Sequence, residues 1–280
     1  MMISIVDVVR KVLLGLSILV IFIGHIHAQT LTVTSKSKSQ IFNKNHLQQW
    51  PLANIKINYS RAYPGKLLSY KAIKLCDFLK PFKFNANKKL LFTASDDFAV
   101  IIPAKLVLNC KKEQSIAYLA IEPDKKWPLL SNHTNQTAGP LAVIWTSPHL
   151  SYISDEYWAW SLVKISEYDD SNEAFVIKAP QKINSSNKKE ILNGYKVYVS
   201  HCSSCHTINH IGTATIGPDL SSPHNPLDYY PNKLTLKKFI RNPQSVRYLK
   251  NGRMSGSSQI GLKEKDLNDL ISYFTYMKKF

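Results

Sequence analysis

Residues 202–206 of this 280-residue chain read Cys-Ser-Ser-Cys-His, and this stretch decides how the C-terminal third is interpreted. Two thiols three residues apart on a helical turn match the separation of the two vinyl groups of haem, so that each can form a thioether. The adjacent His206 would lie under the porphyrin plane, where a ring nitrogen can coordinate iron. The spacing is therefore the attachment signature of a c-type haem on Cys202 and Cys205.

Two other chemistries use a C-x-x-C pair. A zinc site needs a second pair of ligands, but the other cysteines, Cys76 and Cys110, are far from the motif and from each other in sequence. A dithiol oxidoreductase would be expected in a βαβ context, which the flanking sequence does not offer. We therefore predict one covalent haem for the single motif.

Amphipathic helices are predicted on both sides of the motif. Upstream, residues 188–202 place Ile191, Leu192, Tyr195 and Tyr198 near helical spacing. Downstream, residues 262–280 carry an apolar stripe at i, i+3, i+4, i+7 and i+10, formed by Leu267, Leu270, Ile271, Phe274 and Met277. These patterns predict a helix near each end of the C-terminal third.

Together these motifs make residues 188–280 resemble a class I, monohaem cytochrome c. That family has a Gly and an aromatic residue in its first helix, a G-P-x-L turn, a methionine loop and an aromatic pair in its last helix. The matching positions here are Gly194, Tyr198, Gly217-Pro218-Asp219-Leu220, Met254 and Tyr273-Phe274. The resemblance implies an all-α domain over residues 188–280. It also implies that His206 is an axial iron ligand and that the Pro218 carbonyl accepts a hydrogen bond from its ring.

Few residues are available as the second axial ligand. Outside the first two residues, the methionines are Met254 and Met277. Met277 belongs to the apolar stripe of the terminal helix, whereas Met254 lies in a Gly/Ser-rich loop where a thioether is easier to explain as a ligand. We predict Met254, with His210 and His224 as alternatives. His/Met ligation raises the reduction potential relative to bis-histidine ligation and leaves no open position on the iron.

The remainder of the chain predicts a mixed α/β domain. Apolar runs bounded by turn residues indicate strands at residues 89–95, 98–103, 139–145 and 158–168, the first two joined as a hairpin by Asp96-Asp97. Apolar spacing over Tyr70–Phe82 predicts a helix that stops at Pro81. The aromatic cluster Tyr157, Trp158 and Trp160 is interpreted as core packing.

We divide the chain into four parts. Residues 1–28 read as a signal peptide, because Arg10 and Lys11 precede a 13-residue apolar run and Ala28 offers a cleavage site. An uncleaved segment would instead anchor the protein to a membrane. Residues 29–178 form the α/β domain, residues 179–187 a polar linker and residues 188–280 the cytochrome domain. The expected location is the bacterial periplasm.

Residues 60–168 also resemble, more loosely, the molybdopterin-binding domain of sulfite-oxidase-like oxidoreductases. The resemblance lies in TASDDFAVIIP (residues 93–103) followed by GPLAVIW (residues 139–145). That family binds molybdenum through a cysteine that neither Cys76 nor Cys110 matches in position. We therefore interpret the domain as a degenerate relative used for docking or structure, and expect no molybdopterin. In an exported protein the two cysteines form either a disulfide or two buried free thiols, and both alternatives stay open.

The chain is strongly basic, with 36 Lys and Arg against 19 Asp and Glu and a formal net charge of +17. Such a surface predicts transient docking to an acidic redox protein, or to a membrane dehydrogenase or oxidase. Export and the absence of a clustered Lys/Arg run argue against nucleic acid. The leading hypothesis is an exported monohaem electron carrier, not an enzyme. The alternative is a molybdopterin-dependent oxidoreductase with a fused haem c acceptor.

Overall fold

The computed structural model describes residues 30–60, 62–130, 135–171, 187–212, 214, 216–248, 254, 256 and 262–279. The predicted signal peptide and residues 179–186 of the predicted linker lie outside these ranges, so both stay predictions. Within the described ranges, no helix combines the length and the apolar character needed to cross a membrane. The described residues form a sheet-rich N-terminal region and a helical C-terminal region, each with its own hydrophobic core.

Two sheets build the N-terminal region. Their strands are β1 (Leu31–Thr34), β2 (Ser39–Phe42), β3 (Ala53–Ile57), β4 (Leu68–Lys74), β5 (Lys89–Ala94), β6 (Ala99–Pro103), β7 (Ile116–Ile121), β8 (Leu141–Thr146) and β9 (Leu162–Glu167). One sheet has the order β2-β1-β9-β5-β6 and the other the order β3-β4-β7-β8. Strands β1 and β9 pair in parallel, and the other pairs are antiparallel. Short helices connect them, namely α1 (Lys44–Gln48), α2 (Leu75–Phe78) and α3 (Ala104–Val107), with 3-10 helices at Lys80–Phe82, Pro148–Leu150 and Asp155–Tyr157.

The burial of each strand follows its composition. β7 is buried at all six residues and β8 at five of six, as expected for apolar strands covered on both faces, whereas β5 alternates between buried and half-buried residues. The predicted hairpin of β5 and β6 is confirmed, and Asp97 turns the chain at a φ of 66°. The strand predicted for residues 139–145 is confirmed as β8. Residues 158–168 form a shorter strand than predicted, because only Leu162–Glu167 pair with neighbours.

The helix predicted for Tyr70–Phe82 is wrong over its first part. Residues Leu68–Lys74 form β4, which is hydrogen-bonded between β3 and β7, and the α-helix covers only Leu75–Phe78. Around Tyr70 the burial alternates as in a strand, because Tyr70 and Ala72 face the core while Lys71 is exposed. The apolar spacing of this stretch fits either structure over so few residues, and the partner strands that decide between them are distant in sequence.

A disulfide links Cys76 in α2 to Cys110 in the segment after α3, with the two Cα atoms 5.8 Å apart. Of the two alternatives that the sequence left open, the structure therefore has the bonded pair. The bridge spans 34 positions in sequence and closes the loop that contains β5 and β6. In the chain-entropy treatment a loop of this length stabilises the fold by roughly 3 to 4 kcal/mol.

The C-terminal region consists of α4 (Lys188–His201), α5 (Pro226–Tyr229), α6 (Lys233–Arg241), a 3-10 helix (Pro243–Ser245) and α7 (Glu264–Met277). Both α4 and α7 were predicted from apolar spacing, and they pack on each other. At Gly194 a Cβ would lie 2.0 Å from the carbonyl oxygen of Asp269, so the crossing requires glycine. The rings of Tyr195 and Tyr198 contact Tyr273 at centroid distances of 5.7 and 5.8 Å. This crossing positions the end of α4, where the Cys-x-x-Cys-His motif begins.

Candidate haem attachment site

The Cys-x-x-Cys-His motif forms the turn that ends α4. The backbone N–H groups of Cys205 and His206 both donate to the carbonyl oxygen of Cys202, at 3.1 and 2.8 Å. The two cysteines are half-buried and free of any disulfide. Burial raises the pKa of Cys202, and the negative charge of Glu156 adds to that effect. The turn therefore brings two thiols and a histidine together. The thiols could form the two thioether bonds to one haem, and the histidine could coordinate its iron.

His206 is oriented through its Nδ1 atom, which lies 2.8 Å from the carbonyl oxygen of Pro218. Because a carbonyl oxygen can only accept, Nδ1 carries the proton and Nε2 holds the lone pair. Burial lowers the pKa of His206, although the bond to Pro218 acts in the opposite direction. The ring is therefore neutral at pH 7 with Nε2 as its metal-binding atom, which is the state an iron ligand needs. The structure thus places Pro218 where the family resemblance predicts it.

Gly217 allows the G-P-x-L turn to approach the histidine ring. A Cβ at this position would lie 2.4 Å from Cε1 and 2.6 Å from Nδ1 of His206. The backbone N–H of Gly217 also donates to the carbonyl oxygen of Cys205 at 2.7 Å. Any side chain here would displace the ring or lengthen its bond to Pro218, so the glycine is part of the histidine cradle.

Asp219 is a site residue whose role the sequence analysis missed. Its carboxylate accepts hydrogen bonds from the Thr207 hydroxyl and the His210 backbone N–H, both at 2.7 Å. It also accepts from the backbone N–H and the hydroxyl of Ser221. Burial would raise the pKa of Asp219, but these hydrogen bonds outweigh burial and lower the pKa to about 2. Asp219 therefore ties the residues after the motif to the G-P-x-L turn. A Ser two residues after an Asp is an Asx-turn pattern that could have indicated part of this arrangement.

Replacing Asp219 with Asn is expected to lower the free energy of unfolding of the C-terminal domain by about 1 to 3 kcal/mol at pH 7, because an amide NH₂ would face two donors. In the wild type the stabilisation is complete above the ordinary carboxyl pKa of 3.8 and is lost as the pH falls through about 2. Thermal unfolding measured at decreasing pH should show this loss of stability in the wild type. The stability of the variant should fall less over the same pH range. Identical acid dependence in the two proteins would count against this role of Asp219.

Met254, the predicted second axial ligand, is half-buried in the segment between α6 and α7. Two residues further on, Gly256 packs against the end of α6, where a Cβ would lie 2.0 Å from the carbonyl oxygen of Arg241. This close approach packs Gly256 against the end of α6. Met254, two residues away and partly buried, therefore lies near a fixed point of the cytochrome domain.

The two alternative ligands lie at the surface. The His210 side chain is 90% exposed, and its Nδ1 lies 3.8 Å from a carboxylate oxygen of Asp219. The exposed His224 ring stacks on Tyr229 and lies 2.7 Å from the hydroxyl of that residue. Of the three candidates, Met254 is therefore the one with a partly buried side chain.

Buried tyrosine hydroxyls provide a test of whether these residues suit haem. Within the described part of the chain, the hydroxyls of Tyr230 and Tyr273 are buried without a hydrogen-bond partner. Burial raises the pKa of Tyr273, so its hydroxyl keeps its proton. A buried donor without a hydrogen-bond partner lowers the stability of the fold by about 1 to 3 kcal/mol. A bound group with acceptor atoms nearby would supply the missing partner. The charge of a Cys202 thiolate also raises the pKa of Tyr273, which shows that Tyr273 lies near the attachment motif. The two thiols, the lone pair of His206, the Gly217 cradle and the Tyr273 hydroxyl therefore fit a bound haem.

The N-terminal region contacts the motif through residues 151–157, which we call the bracing segment. The Ser154 hydroxyl donates to the Ser200 carbonyl oxygen at 2.8 Å, and the Ser204 hydroxyl donates to a Glu156 carboxylate oxygen at 3.0 Å. Tyr157 of the same segment is buried. Ser154 and Ser200 are 46 residues apart in sequence, and Glu156 and Ser204 are 48 residues apart. No local sequence pattern could therefore have indicated these contacts. The N-terminal region therefore contacts both the end of α4 and the motif itself, the latter at Ser204.

Comparison with known proteins agrees with this geometry. The Cytochrome c family model matches residues 191–278, which run from α4 to the end of α7. A comparison with curated proteins gave no match to the chain. The resemblance of residues 60–168 to the molybdopterin-binding domain gains no support from these comparisons. The C-terminal region is therefore a cytochrome c domain, which implies covalently bound haem c and electron transfer.

Proposed function

We propose that the protein is a one-electron carrier exported to the periplasm, with a single haem on Cys202 and Cys205 and with His206 and Met254 as axial ligands. The observation that carries the proposal is the bond from His206 Nδ1 to the Pro218 carbonyl oxygen, made within a cytochrome c domain. It leaves Nε2 as the coordinating atom of a neutral ring. When bound, haem supplies the one-electron couple.

The residues of the site have separate tasks in this proposal. Cys202 and Cys205 retain the haem covalently, so that the carrier keeps it while moving between partners. Pro218 fixes the tautomer of His206 and makes the ring a stronger ligand. Met254 would hold the iron through its thioether sulfur, which favours the ferrous state. With protein ligands from both His206 and Met254, the haem would suit electron transfer and not substrate activation.

The proposed partner is an acidic redox protein, or an acidic surface of a membrane dehydrogenase or oxidase, and the N-terminal region serves docking or structure. The net charge of +17 supports this choice. Within the cytochrome domain Lys233, Lys238 and Arg247 have exposed side chains. Opposite charges accelerate the encounter of two proteins, and dissolved salt weakens that steering.

An electron-transfer assay on the purified protein tests the proposal. We expect one iron per chain, no stoichiometric molybdenum, and visible spectra that change reversibly on oxidation and reduction. Reduction by an acidic redox protein should slow several-fold as ionic strength rises from 0.01 to 0.15 M, because the Debye length falls from about 30 to about 8 Å. A neutral chemical reductant is the control and should show little salt dependence.

Three results would count against parts of the proposal. Colourless protein from a host competent in cytochrome maturation would reject the haem site. A rate with the acidic protein that does not depend on salt would reject the charged partner. Molybdenum at one atom per chain would favour the alternative, a molybdopterin-dependent oxidoreductase.

A further inference from the structure

We propose that Glu156, from the N-terminal region, lowers the reduction potential of the haem by holding a negative charge against the attachment motif. Its carboxylate oxygen accepts the 3.0 Å hydrogen bond from Ser204, one of the two residues between the cysteines. Ser204 is only 3% exposed, so this bond lies inside the contact between the two regions. The inference rests on the proposed electron-carrier function.

The carboxylate is held in place by the folded N-terminal region. The backbone N–H of Glu156 donates to the Ser154 hydroxyl at 3.2 Å, and that hydroxyl lies 3.1 Å from Nδ1 of His201. On one side of Glu156, Asp155 accepts a 2.5 Å hydrogen bond from the Tyr59 hydroxyl. On the other side, Tyr157 is buried. Glu156 is therefore part of an ordered segment with a fixed relation to the motif.

A second contact fixes the bracing segment to the cytochrome domain. The ammonium group of Lys263 lies 3.4 Å from the centre of the Tyr152 ring, and Lys263 immediately precedes α7. The segment therefore touches the domain both at the end of α4 and at the start of α7. Two separate attachment points keep the carboxylate from swinging away from the motif.

The effect of this charge follows from the redox reaction. Oxidation removes one electron from the ferrous haem to the partner and adds one positive charge at the site. A nearby carboxylate attracts that charge and so favours the ferric state, which lowers the reduction potential. The interaction is stronger than in water because the contact is partly buried and the effective dielectric constant of protein is about 20. Glu156 acts as a positioning and tuning residue through its hydrogen bond to Ser204.

Redox titration of three haem-loaded full-length variants tests the inference. Glu156→Gln keeps the shape and an acceptor oxygen for Ser204 but removes the charge. We expect it to shift the ferric-to-ferrous equilibrium about tenfold towards the ferrous form, which corresponds to ~59 mV higher potential for one electron. Ser204→Ala leaves the charge but removes the donor that holds it, so its potential should rise by less. Glu113→Gln removes an exposed carboxylate of the same region and is the control for net charge.

The outcomes separate this inference from the proposed function. A wild-type protein without haem would remove the proposed function before any variant is measured. With haem present, equal potentials for Glu156→Gln and Glu113→Gln would overturn the tuning role. Should Glu156→Gln lose its haem, Glu156→Ala, which also removes the charge, decides the question, because a potential equal to that of Glu113→Gln would show that the charge has no influence. Haem staining and thermal unfolding of every variant check that only the electrostatics has changed.

Discussion

Protein in which Cys202 and Cys205 are both replaced by alanine is expected to carry no haem on a denaturing gel. Denaturant removes haem held only by axial ligands and packing, whereas thioether bonds survive it. Either single replacement leaves one thioether and should give clearly weaker staining than the wild type. The turn that carries both thiols is closed by the backbone carbonyl oxygen of Cys202, which alanine keeps, so weaker staining would reflect the missing thioether and not a changed turn. Peroxidase staining normalised to the amount of protein measures the effect.

Ser203→Ala is the matched control for these variants. Ser203 lies in the same turn, and its hydroxyl donates to the Val199 carbonyl oxygen at 2.7 Å, but it has no thiol. We expect its haem staining to equal that of the wild type. Full staining of the double cysteine variant would show that haem is not attached through this motif.

Met254→Ala is expected to remove the absorption band in the red that reports iron–sulfur ligation and to lower the reduction potential. Loss of the thioether withdraws the ligand that favours the ferrous state. Axial ligands set haem potentials over a range of ~0.8 V, so a decrease on the order of 100 mV or more is expected. Spectra of the oxidised protein and a redox titration measure the two effects.

Met277→Leu provides the comparison for Met254. Met277 is 1% exposed within the apolar face of α7, and a replacement that conserves volume there should cost less than about 1.5 kcal/mol. This variant should keep both the band and the potential. Survival of the band in Met254→Ala would exclude Met254 as the ligand and point to Met277, the other methionine of this domain. Absence of the band from the wild type would instead make His210→Ala and His224→Ala the variants to measure.

The sequence was sufficient to predict the helices and strands whose formation depends on a local pattern of residues. The apolar stripes of α4 and α7, the hairpin of β5 and β6, and β8 all follow from the spacing of apolar residues and the turn residues between them. For Tyr70–Lys74 the same method failed, because five residues support either a helix or a strand and pairing with β3 and β7 decides the outcome. Pairing of distant strands is not encoded in any short window of sequence.

The site divides in the same way. The motif residues Cys202, Cys205 and His206 lie close together in the sequence, so their spacing alone indicates haem attachment. The hydrogen-bonding role of Asp219 depends on how the chain folds back over Thr207, and only its link to Ser221 has a local pattern. The contact of Glu156 with Ser204 joins the two regions of the molecule. It becomes visible only when both are folded together.

The burial of Ser204 changes what can vary within the motif. Attachment chemistry makes demands on the two cysteines and the histidine and leaves the intervening pair of amino acids unspecified. In this protein the second of that pair is enclosed beneath a carboxylate supplied from 48 positions upstream. A bulky or acidic replacement at this point would clash with or repel the Glu156 carboxylate while leaving the attachment signature unchanged, so the signature alone does not show which residues fit between the cysteines of this protein.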